Sequence, residues 1–511
     1  MKKEDKGLSR RNFIKGAAIG TGATLLGSAS NVFATSNTIP PKWDLTTDVL
    51  VIGFGGAGAS AAIEAHDAGA KVLVLEKMPM GGGSTTLSGG IIYAAGTSVQ
   101  KKAGINDSAE GMYKYWMAVN NDLLDPEITR NLAQKSAETI DWFTSMGVEF
   151  LPEKLYVSGL EAQYENITPA VKRGHQATGK GGALMKALVD TVKKKNIEVR
   201  YNVAAERLIT NADGSVIGVT ASDGKGKKIN IKGSRAVVIA SGGIGRNRDL
   251  MHKYFPSHLK AVPVSGLGST GDGIMMAQKI GAPMLTGALD PPDALPGIEI
   301  EKGKRVNMLS YATCLYKYPT IFVNEKAHRF VDETAYYQIT NPIILRQKEA
   351  YMVFDKRAWS AGADIGYGFS KDLQKELESG AIKTAKTIPE LAKLVGLNPE
   401  ELAKTVQAFN GFAVAGSDKE FYRKKALQPL NEAPYYIAKL GVALVLCLAG
   451  LSTNIKKQVL DPYGKPIPRL YAAGEAVWVF ATYVASGCLL VHCFVDGRIA
   501  GKNAAAEGKI A

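Results

Sequence analysis

The clearest pattern along the chain is a pair of short apolar runs on either side of a small-residue segment, between Asp48 and Lys77. The runs are Val49–Ile52 and Val72–Leu75, and each has the length of a buried strand. The segment between them is rich in glycine and alanine, which predicts a helix that packs closely on a sheet. The pattern therefore predicts a strand, a helix and a parallel strand, which together form a βαβ unit.

Glycines and an acidic residue occupy special positions in this unit. Gly53-x-Gly55-x-x-Gly58 follows the first run, and Glu76 ends the second. The glycines allow a tight turn and let the backbone approach a pyrophosphate at the helix N-terminus. A carboxylate at Glu76 can accept hydrogen bonds from a ribose diol. This order predicts a dinucleotide site, and the alternative is a glycine-rich contact between helix and strand.

Apolar runs that end in glycine recur later, at 236–243 and 470–475. A chain that returns to the same site near its C-terminus requires a large, two-ended cofactor, and FAD fits this description. Between these segments, from about Asp290 to Pro434, aromatic residues are dense and Lys/Glu-rich helices follow. We expect an α/β fold: a Rossmann-like FAD-binding domain built from two sequence segments, 45–290 and 435–511, with an inserted α+β cap domain at 291–434.

The N-terminus carries its own pattern. Arg10 and Arg11 precede a mildly apolar, Gly/Ala-rich stretch that ends near Ala29, and Val32–Ala34 is a small-residue cleavage site. Residues 1–34 resemble a twin-arginine signal peptide, which predicts export to the periplasm or elsewhere outside the cytoplasmic membrane. The alternative, a transmembrane anchor, is disfavoured because the stretch is short and glycine-rich. No other segment has about 18 uninterrupted apolar residues, so no transmembrane segment is expected.

The composition limits the kinds of partner and cofactor that we expect this chain to bind. The 511 residues are 46% hydrophobic and 22% charged, as in a globular protein, and the net charge is +14. The lysines are scattered and no basic helix with interleaved aromatics occurs, so we expect no nucleic-acid partner. The cysteines form no CxxC or CxxCH motif, which predicts no haem, iron–sulfur or zinc site, and their spacing predicts no disulfide. They are Cys314, Cys447, Cys488 and Cys493.

Seven segments between about Asp48 and Ala506 together resemble one known family. They are VIGFGGAGASAAIEA, GGGSTTLSGG, AVVIASGG, STGDGIMMAQKIGA, IFVNEKAHRFVDE, GKPIPRLYAAGE and SGCLLVHCFVDGRIAGKNAA. As an ordered set they resemble the FAD-dependent fumarate reductase/succinate dehydrogenase flavoprotein family. The resemblance is to the soluble, exported branch, which also includes urocanate-type reductases and 3-ketosteroid dehydrogenases.

The resemblance implies a set of cofactor contacts, although single glycines are also common in plain turns and Asp272 could instead cap a helix. By motif, the pyrophosphate is met by Gly53, Gly55, Ala57 and Gly58, and the adenosine ribose by Glu76. Phosphate or ribitol is met by Gly83 and Ser84, and the isoalloxazine is packed by Gly89 and Gly90. The adenine meets the backbone of Val203, the ribityl chain meets Asp272 and Glu475, and flavin O2 meets N–H groups at Leu489 and Leu490.

The chain departs from the family where fumarate reductases bind a dicarboxylate through two arginines and two histidines. The family's arginine after IFVNEKAHRFVDE falls at Tyr337. Its cap-domain arginine, the proton donor, falls near Trp359, two residues from Arg357. The histidines fall within 445–448, and a histidine–glycine–arginine run is replaced by 477–483. Aromatic and aliphatic side chains therefore replace the charges, which predicts a small, mostly apolar substrate rather than fumarate.

Four residues are candidate catalytic groups: Tyr483, Ser486, Tyr337 and Arg357. The element Tyr483-x-x-Ser486-Gly487 resembles the Tyr/Ser-Gly segment of ketosteroid-acting relatives, with a spacing that differs by one residue. A phenol there could polarise a carbonyl or deliver a proton. The alternatives are a core role for Tyr483, cap packing for Tyr337 and a surface position for Arg357.

We expect the enzyme to reduce a C=C bond conjugated to a carbonyl in a steroid-like or aromatic enone. The hydride would come from flavin N5 and the proton from a tyrosine. A separate cytochrome or flavoprotein would supply the electrons. The alternatives are a 3-ketosteroid-type dehydrogenase running in the opposite direction, a urocanate-, cinnamate- or fumarate-like carboxylate reductase that uses Arg357, and a non-enzymatic FAD electron carrier.

Overall fold

The N-terminal βαβ unit lies at the centre of an eight-stranded sheet in the computed structural model. The structure describes residues 39–40, 42–157, 166–167, 169–287, 293–478, 480 and 485–510. The strands of this first sheet, in spatial order, are β19 (Gln458–Leu460), β20 (Pro466–Ala472), β8 (Lys228–Ile239), β1 (Leu45–Ile52), β2 (Val72–Glu76) and β5 (Glu198–Tyr201). In addition, β7 (Val216–Asp223) pairs with β8, and β6 (Val203–Thr210) pairs with β7.

The central strands are parallel and buried on both faces. β1 pairs with β2 and β8, and β20 pairs with β8, all in the parallel sense. Val49, Leu50 and Val51 have no exposed surface. Parallel strands covered by helices on both faces require a continuous apolar run, which is the pattern seen in the sequence. Because β20 follows the cap in the chain, the first sheet is assembled from two distant segments, as predicted.

Fourteen α-helices surround the sheets within the described residues. They are α1 (Gly56–Asp67), α2 (Gly83–Leu87), α3 (Ser98–Lys102), α4 (Ala109–Val119), α5 (Pro126–Ser145), α6 (Lys180–Lys194), α7 (Arg248–Tyr254), α8 (Asp272–Gln278), α9 (Tyr337–Arg346), α10 (Lys356–Trp359), α11 (Gln374–Glu378), α12 (Ile388–Lys393), α13 (Pro399–Val414) and α14 (Cys488–Ala506). None of these helices is long and apolar enough to span a membrane.

The C-terminal helix α14 packs directly on α1. A Cβ at Gly497 would lie 2.4 Å from the carbonyl oxygen of Ala57, and one at Gly501 would lie 2.1 Å from that of Ala61. Only glycine permits this backbone contact. The close packing brings the N-terminus of α14 next to the glycine-rich turn that precedes α1.

A second eight-stranded sheet forms the cap. Its strands, in spatial order, are β13 (Thr320–Asn324), β14 (Ala350–Asp355), β17 (Tyr435–Leu446), β11 (Asp293–Glu301), β12 (Arg305–Leu309) and β15 (Gly366–Tyr367), with β16 (Ile382–Ala385) and β9 (Val262–Pro263) also paired to β17. Two small sheets join β10 (Met284–Thr286) to β18 (Ala449–Leu451) and β3 (Ile91–Tyr93) to β4 (Gly174–Gln176).

Strand pairing crosses both predicted cap boundaries. β17 begins after Pro434 but pairs with β11, β14 and β16 of the cap, and β9 joins the same sheet from before residue 291. The apolar alternation of β17 does not reveal its partners, because a strand's sheet is decided by long-range pairing. The predicted α/β fold with an inserted cap is confirmed. The signal peptide predicted at 1–34 lies outside the described residues.

Candidate active site

The glycine-rich turn between β1 and α1 combines tight packing on one side with open backbone on the other. Gly53 has a φ of +102°, and a Cβ there would lie 2.4 Å from the carbonyl oxygen of Ala240. A Cβ at Gly58 would lie 2.0 Å from the carbonyl oxygen of Gly53. At Gly55, in contrast, the nearest atom to an added Cβ is 3.9 Å away. The turn is therefore packed against the sheet and leaves backbone accessible to a ligand.

The N-terminus of α1 points into this open space. Its N-cap is Gly55, which provides no side-chain hydrogen bond, and Ala57 is buried in the first turn. No acidic residue lies in that turn. The first N–H groups of a helix have no partner within the helix, and the helix dipole favours an anion there. These features fit the pyrophosphate of the predicted FAD.

A second glycine-rich loop, which contains Gly82 and Gly83, packs against the first turn. Gly82 donates its N–H to the carbonyl oxygen of Phe54 at 2.8 Å, and Gly83 has open backbone with only Gly55 Cα near an added Cβ, at 3.6 Å. The Ser84 hydroxyl accepts a hydrogen bond from the Gly266 N–H at 3.0 Å. Gly83 and Ser84 thus face the same space as the first turn, where the resemblance places phosphate or ribitol.

Gly89 and Gly90 lie where this loop meets α6. Gly90 has a φ of +67°, and a Cβ there would lie 2.2 Å from the carbonyl carbon of Lys180. Gly90 therefore requires glycine for packing against the start of α6. Its neighbour Gly89 is half-buried, and its carbonyl oxygen accepts a hydrogen bond from Gln176 Nε2 at 3.2 Å.

Glu76 is held in place at the end of β2. Its Oε2 accepts a hydrogen bond from the Phe54 N–H and its Oε1 accepts one from the Met78 N–H, both at 2.8 Å. Carboxylate oxygens have further acceptor capacity, so ribose hydroxyls could still bind. Val203 begins β6 beside this strand end, because the Asn202 N–H donates to the carbonyl oxygen of Met78 at 3.2 Å. The two residues lie as an adenosine site requires.

Asp272 is engaged by a lysine. Its Oδ2 lies 2.6 Å from Lys77 Nζ and its Oδ1 accepts from the Thr270 hydroxyl at 2.8 Å. The N-cap of α8 is Gly271, without a side-chain cap bond, so Asp272 is not the helix cap that the sequence left open. Lys77 follows Glu76 directly, so Asp272 is tied to the end of β2.

Glu475 carries a buried polar atom without a hydrogen-bond partner among the described residues. Its Oε1 is shielded from solvent and unpaired. Burial raises the pKa of Glu475 to about 7, and nearby backbone N–H groups of Cys447 and Gly243 offset part of this effect. An unpaired buried acceptor costs free energy, so the site is built to bind a donor such as a ribityl hydroxyl.

The N-terminus of α14 is a second helix end without a side-chain cap. Gly487 is its N-cap with a φ of +95°, and a Cβ there would lie 2.8 Å from the Tyr93 nitrogen. Leu489 and Leu490 are in the first turn and are half-buried. Since the helix has 19 residues, its dipole can stabilise negative charge at this end, as flavin O2 requires.

An interior cavity lies between the N-terminal end of α14, the segment after β17 and the segment after β20. Most of its lining is aliphatic or aromatic, and the polar members are Glu475, His492 and Cys447. The lining residues are Leu446, Cys447, Leu448, Glu475, Val477, Trp478, Phe480, Leu489 and His492. This cavity unites the two segments in which the sequence replaces the family's charged substrate ligands.

Two tyrosines that the sequence analysis missed meet at the start of α14. The Tyr156 hydroxyl hydrogen-bonds with Ser486, and burial raises the pKa of Tyr156, with Tyr367 and Cys488 close by. Tyr367 belongs to the cap strand β15, whereas Tyr156 belongs to the FAD-binding part. No local motif marks either residue, because only packing of the cap brings them together. Tyr483 lies outside the described residues.

Tyr337 lies in a cluster of cap tyrosines. Its ring centroid is 4.0 Å from that of Tyr336 and 6.0 Å from that of Tyr311. Tyr337 is only 6% exposed, and the Tyr311 hydroxyl shares a hydrogen bond with Thr340 at 2.9 Å. These contacts belong to the packing of α9.

Arg357 is held by acidic residues of the cap. Its Nε lies 3.1 Å from Asp355 Oδ2 and 3.3 Å from Glu432 Oε1. The hydrogen bond that the guanidinium donates to Asp355 raises the pKa of Arg357. The guanidinium of Arg357 is therefore already paired at the start of α10.

Comparison with known proteins shows the family to which the chain belongs. Residues 48–488 match the model of the FAD binding domain family. The chain is 31% identical to urocanate reductase of Eggerthella lenta over 470 residues, covering 90% of this chain and 75% of the relative.

Two solved structures share the fold. The open conformation of a flavocytochrome c3 fumarate reductase superposes with a TM-score of 0.77 at 27% identity, covering 99% of this chain and 82% of that one. The 3-ketosteroid-Δ4-(5α)-dehydrogenase of Rhodococcus jostii RHA1, in complex with 4-androstene-3,17-dione, gives 0.72 at 29% identity, covering 94% and 99%.

The predicted cofactor and fold are thus confirmed by the match over most of the chain. The glycine-rich turns, the free helix N-termini and the unpaired Glu475 carboxyl oxygen explain how this chain can hold FAD. The chain belongs to the FAD-dependent fumarate reductase/succinate dehydrogenase flavoprotein family and is an FAD-dependent oxidoreductase that acts on carbon–carbon bonds.

Proposed function

We propose that the enzyme reduces a C=C bond conjugated to a carbonyl in a mostly apolar substrate, such as a steroid-like or aromatic enone. The observation that supports this is the lining of the interior cavity, where Leu446, Val477, Trp478 and Phe480 line the wall. A carboxylate substrate needs charge-assisted partners such as arginine. The cavity, about 20 Å³ in this structure, is lined mainly by apolar side chains where the resemblance places charged substrate ligands, which favours an apolar part of a substrate at this position.

When bound, FAD would supply the hydride-transfer chemistry, and the two glycine-rich turns, Glu76, Asp272 and Glu475 would hold it. The chain supplies the α-proton from a tyrosine, and the candidates are Tyr483 and Tyr337, with Ser486 near the first. Tyr156 joins these candidates, since its hydroxyl hydrogen-bonds with Ser486 and burial keeps its phenol protonated. Free N–H groups or a phenol would stabilise the developing enolate.

The cap would complete the active site. Tyr367 comes from the cap and lies near Tyr156, so closure of the cap places a cap phenol beside the first turn of α14. We propose that 291–434 moves together with the paired strand β17, because β17 is the strand that joins its two halves. Closure would exclude water from the reacting atoms.

We propose that electrons come from a separate cytochrome or flavoprotein. The sequence has no CxxCH or CxxC motif of its own. One structural relative is a flavocytochrome c3, which supports a cytochrome as donor class. Rapid reduction of the purified enzyme by NAD(P)H would contradict this proposal.

Two alternatives each have an observation in their favour. The likeness to a 3-ketosteroid dehydrogenase favours the reverse reaction, in which the enzyme desaturates an apolar ketone. The likeness to a urocanate reductase favours a carboxylate reductase that would use Arg357. The pairing of Arg357 with Asp355 and Glu432 weakens the second alternative, because the guanidinium would have to exchange partners.

The deciding experiment follows reoxidation of the bound flavin. The enzyme is reduced without oxygen and mixed separately with steroid enones, an aromatic enone, cinnamate, urocanate and fumarate. Reoxidation by the enones supports the proposal, and reoxidation by the carboxylates alone contradicts it. Reduction of the oxidised enzyme by a saturated 3-ketosteroid would favour the reverse direction.

A further inference from the structure

A buried cluster of three polar side chains lies beneath the first turns of α14. Asp496 Oδ1 is 2.7 Å from Lys457 Nζ, and Asp496 Oδ2 is 2.5 Å from His492 Nε2. The three side chains are at most 3% exposed. Both contacts are within ion-pair distance, but neither carboxylate oxygen of Asp496 has a partner with the geometry of a hydrogen bond. Positive and negative charges that are buried so deeply must pair, because each unpaired buried charge costs free energy of folding.

His492 connects this cluster to the cavity. Its imidazole lines the cavity together with Leu489 and Glu475, and the ring of Phe480 packs edge-on against it at 6.1 Å. His492 lies three residues after Leu489 on α14, so both share one face of the helix. The imidazole therefore lies between Asp496 and the end of α14 that the family motif assigns to flavin O2.

The positive charge of Lys457 decides the net charge of the cluster when His492 is neutral or protonated. The ammonium of Lys457 already balances the carboxylate of Asp496, so a neutral imidazole leaves the cluster without net charge. A proton on His492 would give a net positive charge in the interior, which burial disfavours. Two electrons delivered to a nearby flavin add negative charge, and that charge makes the protonated imidazole favourable.

We propose that His492 takes up one proton from solvent when the bound FAD is reduced, and that Asp496 and Lys457 act as positioning residues for its imidazole. The external donor is oxidised, and the flavin takes up its two electrons with the one proton that its own reduction requires, while a second proton from solvent forms an N–H bond on His492. The inference depends on FAD binding and not on the identity of the substrate. The ionisable groups that share the cavity wall or the adjoining turns with His492 are Glu475, Cys447, Cys488, Cys493, Asp496 and Lys457.

The test measures the reduction potential of the FAD-loaded enzyme with a redox dye across about pH 5 to 9. The slope of potential against pH counts protons taken up per two electrons. We expect His492→Gln to take up one proton fewer than wild type in the pH range where His492 titrates, with FAD still bound. His258→Gln is the matched control, because His258 is buried but does not line the cavity. It should keep the wild-type slope.

An unchanged slope in His492→Gln would overturn the proposal, even if FAD retention or thermal stability falls, because such losses indicate a structural role only. If His492→Gln fails to fold, Lys457→Met provides the test. Removing the ammonium lets His492 hold its proton in the oxidised enzyme up to a higher pH. The bend in the plot of potential against pH should therefore move to higher pH, and a bend that stays in place would equally overturn the proposal.

Discussion

The carboxyl group of Glu475 lies against the backbone of Gly243, so that a Cβ at Gly243 would be 2.4 Å from Glu475 Oε1. Gly243 ends the segment after β8 and Glu475 lies after β20, so this contact joins the two segments of the FAD-binding part. The carboxyl can therefore keep its position only while residue 243 has no side chain.

We predict that Gly243→Ala weakens FAD binding. The added methyl group would displace the Glu475 carboxyl from the position in which its free oxygen can accept a ligand hydrogen bond. Loss of one such buried hydrogen bond corresponds to roughly 1–3 kcal/mol, or about tenfold to a hundredfold in the dissociation constant of FAD. Titration of the apoprotein with FAD, followed by flavin fluorescence, measures the change. Gly411→Ala is the control, since no atom lies within 4 Å of its added Cβ.

The buried carboxyl also predicts a pH dependence of the apoprotein. Burial raises the pKa of Glu475 to about 7 from its ordinary value of 4.5. A raised pKa means that the folded state prefers the protonated carboxyl. This contribution to stability is fully present below about pH 4.5 and is lost as the pH rises through about 7.

The matched comparison is with Glu475→Gln, which cannot ionise. The free energy of unfolding of wild-type apoprotein should fall by up to roughly 3 kcal/mol relative to this variant between about pH 4.5 and 8. Denaturant unfolding at several pH values gives this difference. A difference that is flat with pH, or that rises, would show that Glu475 is not a buried, protonated carboxyl.

The contact between α1 and α14 predicts a sensitive position at Gly497. A Cβ there would lie 2.4 Å from the backbone oxygen of Ala57, which cannot move without shifting α1. We expect Gly497→Ala to lower the free energy of unfolding by roughly 1–3 kcal/mol, because overpacking forces the backbone apart. Thermal unfolding of the FAD-loaded enzyme measures it. The control Gly411→Ala should be neutral or stabilising, since alanine favours a helix.

The tyrosines give a prediction about catalysis. If Tyr483 donates the α-proton, Tyr483→Phe should slow turnover by about 10²–10⁴-fold while FAD stays bound. Tyr156→Phe should give the smaller loss expected of a residue that only orients Ser486, unless Tyr156 is the donor itself. The two variants assayed with the same enone decide between them, and Tyr463→Phe, at an 88% exposed position, is the control. Unchanged turnover in Tyr483→Phe would remove it from the mechanism.

The twin-arginine signal that the sequence predicts at residues 1–34 can be tested by changing it. Replacing Arg10 and Arg11 by lysine should leave the protein in the cytoplasm, with FAD bound and flavin absorbance unchanged. Fractionation of cells that express wild type and variant, followed by immunoblotting, measures the distribution. Equal export of both forms would contradict the proposed route.

Local sequence was enough for the elements that hold the cofactor. The apolar runs that form β1, β2 and β8 are continuous because parallel strands are covered on both faces. A continuous apolar run can be recognised from neighbouring residues alone. The glycine at 58 could be interpreted in the same way, since it packs against Gly53 of its own turn, whereas Gly53 packs against Ala240 of a distant segment. The predicted cap ends at residue 434, yet β17, which follows it, pairs with the cap strand β14. The alternation of apolar residues in a strand does not indicate which strands it pairs with.

The sequence by itself determined that the chain builds one dinucleotide site from two distant segments, and that the family's charged substrate ligands are replaced. Only the tertiary structure decided which side chains meet around that site. Tyr156 and Tyr367 come from different parts of the fold, and Lys457 reaches Asp496 from β19's preceding turn. The physical reason is that periodicity and turn chemistry act between neighbours in the chain, whereas these contacts form only when distant elements pack together.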